Sequence, residues 1–217
     1  MGLFSKKKEN IVEVVASGNK ELLLQKLQTT GDIESKDLNG WTPLLLAINK
    51  NDKEMVEILL NNGAQTDYVD NPAGVPLVLA CANGNKEIVK LLLDHNASTE
   101  CADMNNLFPI TAAALNGHLE IVKLLVENGV DITMAFEDSL TALEAAKQNN
   151  HQEVVAYLEQ ISNQGKNEIG KINNKKKSTD DLLRNLGFKY NKKELTYLII
   201  FAIVCALFIL IGQFLVD

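Results

Sequence analysis

The sequence predicts an all-α repeat solenoid of helix–turn–helix units, followed by one transmembrane helix near the C-terminus. Three observations predict it. Segments of the 217-residue chain return at a constant step of 33 residues. Within each period the apolar residues follow the 3.6-residue spacing of a helix. The 22 residues from Leu195 to Val216 carry no charge, and 15 of them are Leu, Ile, Val or Phe. A fixed period of this size marks stacked supersecondary units, each too small to bury its own apolar face.

The step is read from several residues at once. Thr42-Pro43-Leu44 returns as Val75-Pro76-Leu77, as Phe108-Pro109-Ile110 and as Thr141-Ala142-Leu143. Ala47, Ala80, Ala113 and Ala146 keep the same step, with Val14 one period earlier. The run Glu54 to Leu60 returns as Glu87 to Leu93 and again as Glu120 to Val126, and Asp37, Asp70 and Asp103 share one register. Each unit begins with a helix start: Pro43 suits the first helical turn, where its missing N–H costs nothing, and Thr42 before it can cap the open amides. Small alanines let neighbouring helices approach. Met55, Val56, Leu59 and Leu60 form the apolar stripe of the second helix, and Gly63 supplies its left-handed stop. Asn96 takes that glycine's place one unit later, since Asn tolerates positive φ best after Gly.

With these motifs the chain resembles the ankyrin-repeat family over about residues 9–160. The family pattern is a turn, T-P-L-H-x-A, a short helix, a G-H turn, a second helix and G-A-D. Gly117-His118 matches the G-H turn, and Gly63-Ala64 and Gly129-Val130-Asp131 match the end. The resemblance implies a repeat domain over 9–162, made of an N-terminal capping helix pair at 9–36 and repeats at 37–69, 70–102, 103–135 and 136–160. The histidine of T-P-L-H is replaced by Leu45, Val78, Thr111 and Glu144. In the family that histidine helps tie the turn, so looser hairpin fingers are expected here.

Charge narrows the function. Residues 9–164 carry a net −14, residues 1–8 a net +3 and residues 165–194 a net +5, within a whole-chain net of −7. A phosphate-binding protein would place its positive field on the folded part, so no nucleic-acid partner is expected. The cysteines, Cys81, Cys101 and Cys205, have no CxxC spacing, which points away from a disulfide framework or a zinc site. The three histidines are His95, near a helix end, and His118 and His151, one period apart in the inter-helix turn. No Ser/His/Asp set, phosphate-cradling glycine loop or HExxH motif is present. No catalytic residue, cofactor, metal or small-molecule substrate is expected, and the chain reads as a non-enzyme.

Binding remains. In the resembled family the partner usually lies along the hairpin tips and inner helices. The tip positions here include Leu38, Asn39, Trp41, Tyr68, Asn71, Met104, Asn105, Leu107 and Leu140. Leu38, Trp41, Tyr68, Asn71, Met104 and Leu107 are the candidate contacts for another protein, because exposed aromatic and Met side chains make interface anchors.

Past the repeats the character changes. Residues 163–194 read as a basic linker, polar and rich in Asn and Lys, with a capping box at Ser178 to Asp181 opening a short amphipathic helix over 179–188. Residues 1–8 read as a basic tail. Gly2 invites N-myristoylation, but Lys6 stands where the motif wants Ser or Thr. The span 195–216 reaches about 33 Å as a helix, enough for a hydrocarbon core of about 30 Å. Lys189, Lys192 and Lys193 just before it predict that the repeats face the cytoplasm. The late position of the span suggests insertion in the manner of a tail-anchored, single-pass protein. The function expected is protein–protein interaction at the cytoplasmic face of a membrane. An accessory subunit of a channel, transporter or other intramembrane complex is the alternative, and the lack of GxxxG or charge in the span favours the first.

Overall fold

The computed structural model describes residues 10–29, 32–68, 71 and 74–164. The basic tail, most of the linker, the amphipathic segment at 179–188, Cys205 and the apolar run at 195–216 lie outside the described residues. Among those described, no helix is long and apolar enough to cross a membrane.

Helices follow in pairs. The pairs are α1 (Ile11–Ser17) with α2 (Lys20–Thr29), α3 (Pro43–Asn49) with α4 (Lys53–Asn61), and α5 (Pro76–Asn83) with α6 (Lys86–Asp94). They continue with α7 (Pro109–Leu115) and α8 (Leu119–Glu127), then α9 (Ala142–Gln148) and α10 (152–164). The described residues contain these helices and no strand. The first helices α1, α3, α5, α7 and α9 pack in one row, and α4, α6 and α8 pack in a second. Helix α10 continues four residues past the expected repeat end at 160, and the compact unit closes at Ser162.

The starts obey their residues. Thr42 caps α3 by accepting from the Leu45 amide at 3.3 Å, with Pro43 in the first turn. Val75 and Phe108 stand in the same position without a capping side chain, and there the proline alone favours the start. Thr141 and Glu144 form a reciprocal capping box, with the Thr141 amide donating to Glu144 at 2.9 Å. Glu144 is the residue that replaces the family histidine, so this turn is tied by a different group.

The 33-residue step reappears in the backbone. Gly18, Asn51, Gly84, Gly117 and Asn150, one per unit, all have positive φ between the paired helices. Gly63, Asn96 and Gly129 repeat it after the second helix. Asparagine substitutes for glycine because its short polar side chain lowers the left-handed penalty.

One core runs the length of the stack. Leu44, Leu77 and Ile110 line the first row with Ala47, Ala80, Ala113 and Ala146, all without exposed surface. Leu59, Leu92, Leu125 and Leu158 do the same for the second. Alanine at this recurrent inner position of α3, α5, α7 and α9 lets these helices sit close, and the larger residues interlock around them. Cys81 is fully buried in this core, and burial drives its thiol far above the usual range.

Thr111 is one of the few polar side chains in the interior. It is 2% exposed, and its hydroxyl has no hydrogen-bond partner among the described residues. An orphaned buried hydroxyl costs about 1–3 kcal/mol. Thr111→Val keeps the shape and removes the orphan, as Val78 already does one unit earlier. It is expected to stabilise the repeats by about 1 kcal/mol. Chemical denaturation followed by circular dichroism checks this, and a loss of stability would mean the hydroxyl is satisfied.

Candidate functional site

The fingers that join one unit to the next are built by aspartate. Asp37 Oδ1 accepts from the amides of Asn39 at 2.8 Å and Trp41 at 2.9 Å, while the Asp37 amide donates to the Trp41 carbonyl at 3.0 Å. Two periods later Asp103 repeats the arrangement, accepting from Asn105 and Leu107, each at 2.9 Å. The Asp carboxylate folds back on its own backbone, which it does better than any longer acid. These two turns are therefore firmly tied, contrary to the loose fingers expected from the missing histidines.

A closed turn holds its tip outward. Leu38, next to Asp37, is fully exposed, and Met104, next to Asp103, is 66% exposed. In the fourth finger Phe136 stands where the aspartate would be. It stacks on Phe108 of the preceding finger, with ring centroids 5.1 Å apart and planes 11° from parallel. Phe136 and Leu140 remain exposed. Sequence reading missed Phe136; its one signal was an aromatic in the aspartate register.

The other candidates sit deeper. Trp41 and Leu107 are half-buried, and Leu107 packs against the core. Tyr68 and Asn71 are buried, a correction to the exposed tip position expected of them. Tyr68 reaches back one unit to donate its hydroxyl to Glu34, and Lys36 lies over its ring at 5.8 Å from the centroid. Burial first, then the Glu34 bond, pushes the phenol well above its ordinary range. Tyr68 thus joins two fingers and offers a partner little surface. The six candidates are not brought together as one patch. Leu38 and Met104 share the outward tip position two units apart.

Backbone amides are linked across units beside these fingers. Gln65 donates to Glu34 at 2.7 Å, and one period later Ser98 donates to Asp67 at 2.9 Å. Asp131 turns instead to Thr133, whose hydroxyl and then backbone bonds hold its carboxyl below the usual range.

The inter-helix turns carry a second set of links. Asn19, Asp52 and Asn85 each cap the helix that follows, accepting from the amide three residues on at 2.9–3.1 Å. His118 and His151 occupy the same register, and the His118 side chain makes no cap bond. Their Nε2–H groups donate backward to carbonyls of the preceding unit, His118 to Ala82 at 3.1 Å and His151 to Leu115 at 2.9 Å. The histidines therefore serve the stacking of units.

The match to known sequences follows this geometry. The ankyrin-repeat pattern, in three copies, matches residues 11–103 and 77–168. The chain belongs to the ankyrin-repeat family. No curated protein matches it. Ankyrin repeats imply binding to another protein, and ankyrin-repeat proteins are typically interaction scaffolds rather than enzymes. Among the described residues, no group of His, Cys, Asp and Glu is arranged to hold a metal ion.

Proposed function

We propose that this ankyrin-repeat chain is a protein-interaction module held at the cytoplasmic face of a membrane. The observation that carries the interaction half is the finger row. Its rigid turns present Leu38 and Met104 to solvent although a core is available behind them. Large exposed apolar groups on preorganised backbone cost little entropy to dock. The membrane half rests on the uncharged run at 195–216 and the lysines that precede it. Insertion of such a run is favourable by several kcal/mol, and basic flanks stay cytoplasmic. They also meet anionic headgroups there, at about 1 kcal/mol each.

The test places a photo-crosslinking residue at Leu38 or, as a control, at Glu57 on the opposite helix row of the full chain in cells. A discrete protein adduct is expected from Leu38 and not from Glu57. The adduct should fractionate with membranes, and the repeats should resist protease added outside sealed cells. Equal adducts from both positions would remove the finger row as the interface, and digestion of the repeats from outside would remove the topology.

A further inference from the structure

The two charged regions of the stack behave differently, and the difference points to the partner's chemistry. On the second helices Lys side chains are interspersed with the acids, and several pair within the protein. Lys20 pairs with Glu54, Lys86 with Glu120 at 3.1 Å and Lys123 with the same Glu120 at 2.8 Å, while Lys147 of the first-row α9 pairs with Glu159 of α10 at 2.7 Å. The finger segments 32–41, 65–75, 98–108 and 131–141 hold ten carboxylates and a single base, Lys36. That base sits over the Tyr68 ring. Glu137 and Asp138 are exposed beside Phe136, and Asp37 lies next to the fully exposed Leu38. Exposed apolar side chains and carboxylates without a paired base therefore stand side by side in these fingers.

We infer that the finger row docks a basic segment of a partner protein, one in which Lys or Arg side chains alternate with large apolar ones. This deepens the interaction reading above and rests on it. The apolar groups supply the contact area, and the carboxylates choose the sign of the partner. An acidic or neutral segment of the same hydrophobicity would meet uncompensated like charge or leave the carboxylates desolvated without a counterion. A cationic segment also gains on-rate from the field of a domain carrying −14 over residues 9–164. Lys36 sits at one end of the row, so the basic side chains are placed toward the fingers at 98–108 and 131–141.

The experiment pans phage displaying random 12-residue peptides on the full chain in detergent, with elution by salt and by free peptide. The selected peptides are expected to be enriched in Lys or Arg together with Leu, Phe, Ile or Met. Their affinity should fall about tenfold on Leu38→Ser with Met104→Ser, a loss of the size that one good interface anchor carries. It should fall similarly on Glu100→Gln, Glu137→Gln and Asp138→Asn, which leave the apolar groups in place. Glu57→Gln with Glu87→Gln, on the other helix row, should leave affinity unchanged. Thermal melts of each variant separate lost binding from lost fold, and the charge variants stand alone if the apolar pair melts early. Acidic or neutral selected peptides, equal loss from the second-helix variants, or no selected peptide at all would overturn the inference. A finger-row adduct at Leu38 in cells beside such a result would leave the interaction reading intact and reject only the basic partner.

Discussion

Leu92→Ala is expected to cost the repeat stack about 2–5 kcal/mol, the range for a Leu truncated inside a tight core. Leu92 has no exposed surface and lies on α6, which packs against α4 on one side, α8 on the other and α5 beneath. A cavity there cannot close by the fraying of an end. Position within the stack adds to the effect, because each unit is stable only through its neighbours. Weakening a central unit uncouples the two halves, so the unfolding transition should broaden as well as shift. Leu24, 44% exposed on the terminal α2, gives the contrast. Leu24→Ala should change stability by less than about 0.5 kcal/mol, as surface substitutions generally do. Denaturant unfolding monitored by circular dichroism measures both. A Leu92→Ala loss below about 1 kcal/mol would mean that the second-helix stripe is not the core.

The helical stack was legible in the sequence because its physics is periodic. Alanines at one register, prolines at another and leucines at a third can serve only one repeated geometry, and the observed helices follow them. What the sequence did not reveal were bonds between residues about 31–36 positions apart. Tyr68 looks like an interface aromatic from its finger position, and only the nearby Glu34 turns it inward. The loss of the T-P-L-H histidine suggested loose fingers. Aspartates at 37 and 103, already noticed for their register, turn out to close those turns, and Glu144 closes another. Phe136 escaped notice because an aromatic replacing an aspartate has no local meaning until its stacking partner Phe108 is placed.

Gly117→Ala is expected to cost about 2–3 kcal/mol, from two sources that can be separated. Gly117 has φ +74, and an L side chain in that region costs about 1–2 kcal/mol. A Cβ there would also lie 2.5 Å from His151 Nδ1, so the ring must leave. Its bond to the Leu115 carbonyl, worth about 1 kcal/mol, is then lost. Gly84 faces His118 in the same way, with the Cβ 2.5 Å from the ring. At Gly18, φ +76, nothing lies within 4 Å, and the next unit's residue in that register is Asp52 rather than a histidine. Gly18→Ala should therefore show the backbone cost alone. Asn51 makes the same point from the natural sequence. It takes up φ 55 where the following unit carries Asn85, so a side chain is tolerated when no imidazole rests on the turn. The two costs at Gly117 are isolated by a double-mutant cycle with His151→Ala. Removing the ring alone forfeits the inter-unit bond. Removing it in the Gly117→Ala background forfeits nothing further, because the bond is already broken. The double variant should then be more stable than the sum of the singles predicts, by about 1 kcal/mol. Strict additivity would mean that the imidazole does not rest on Gly117, and the histidine link between units would be rejected.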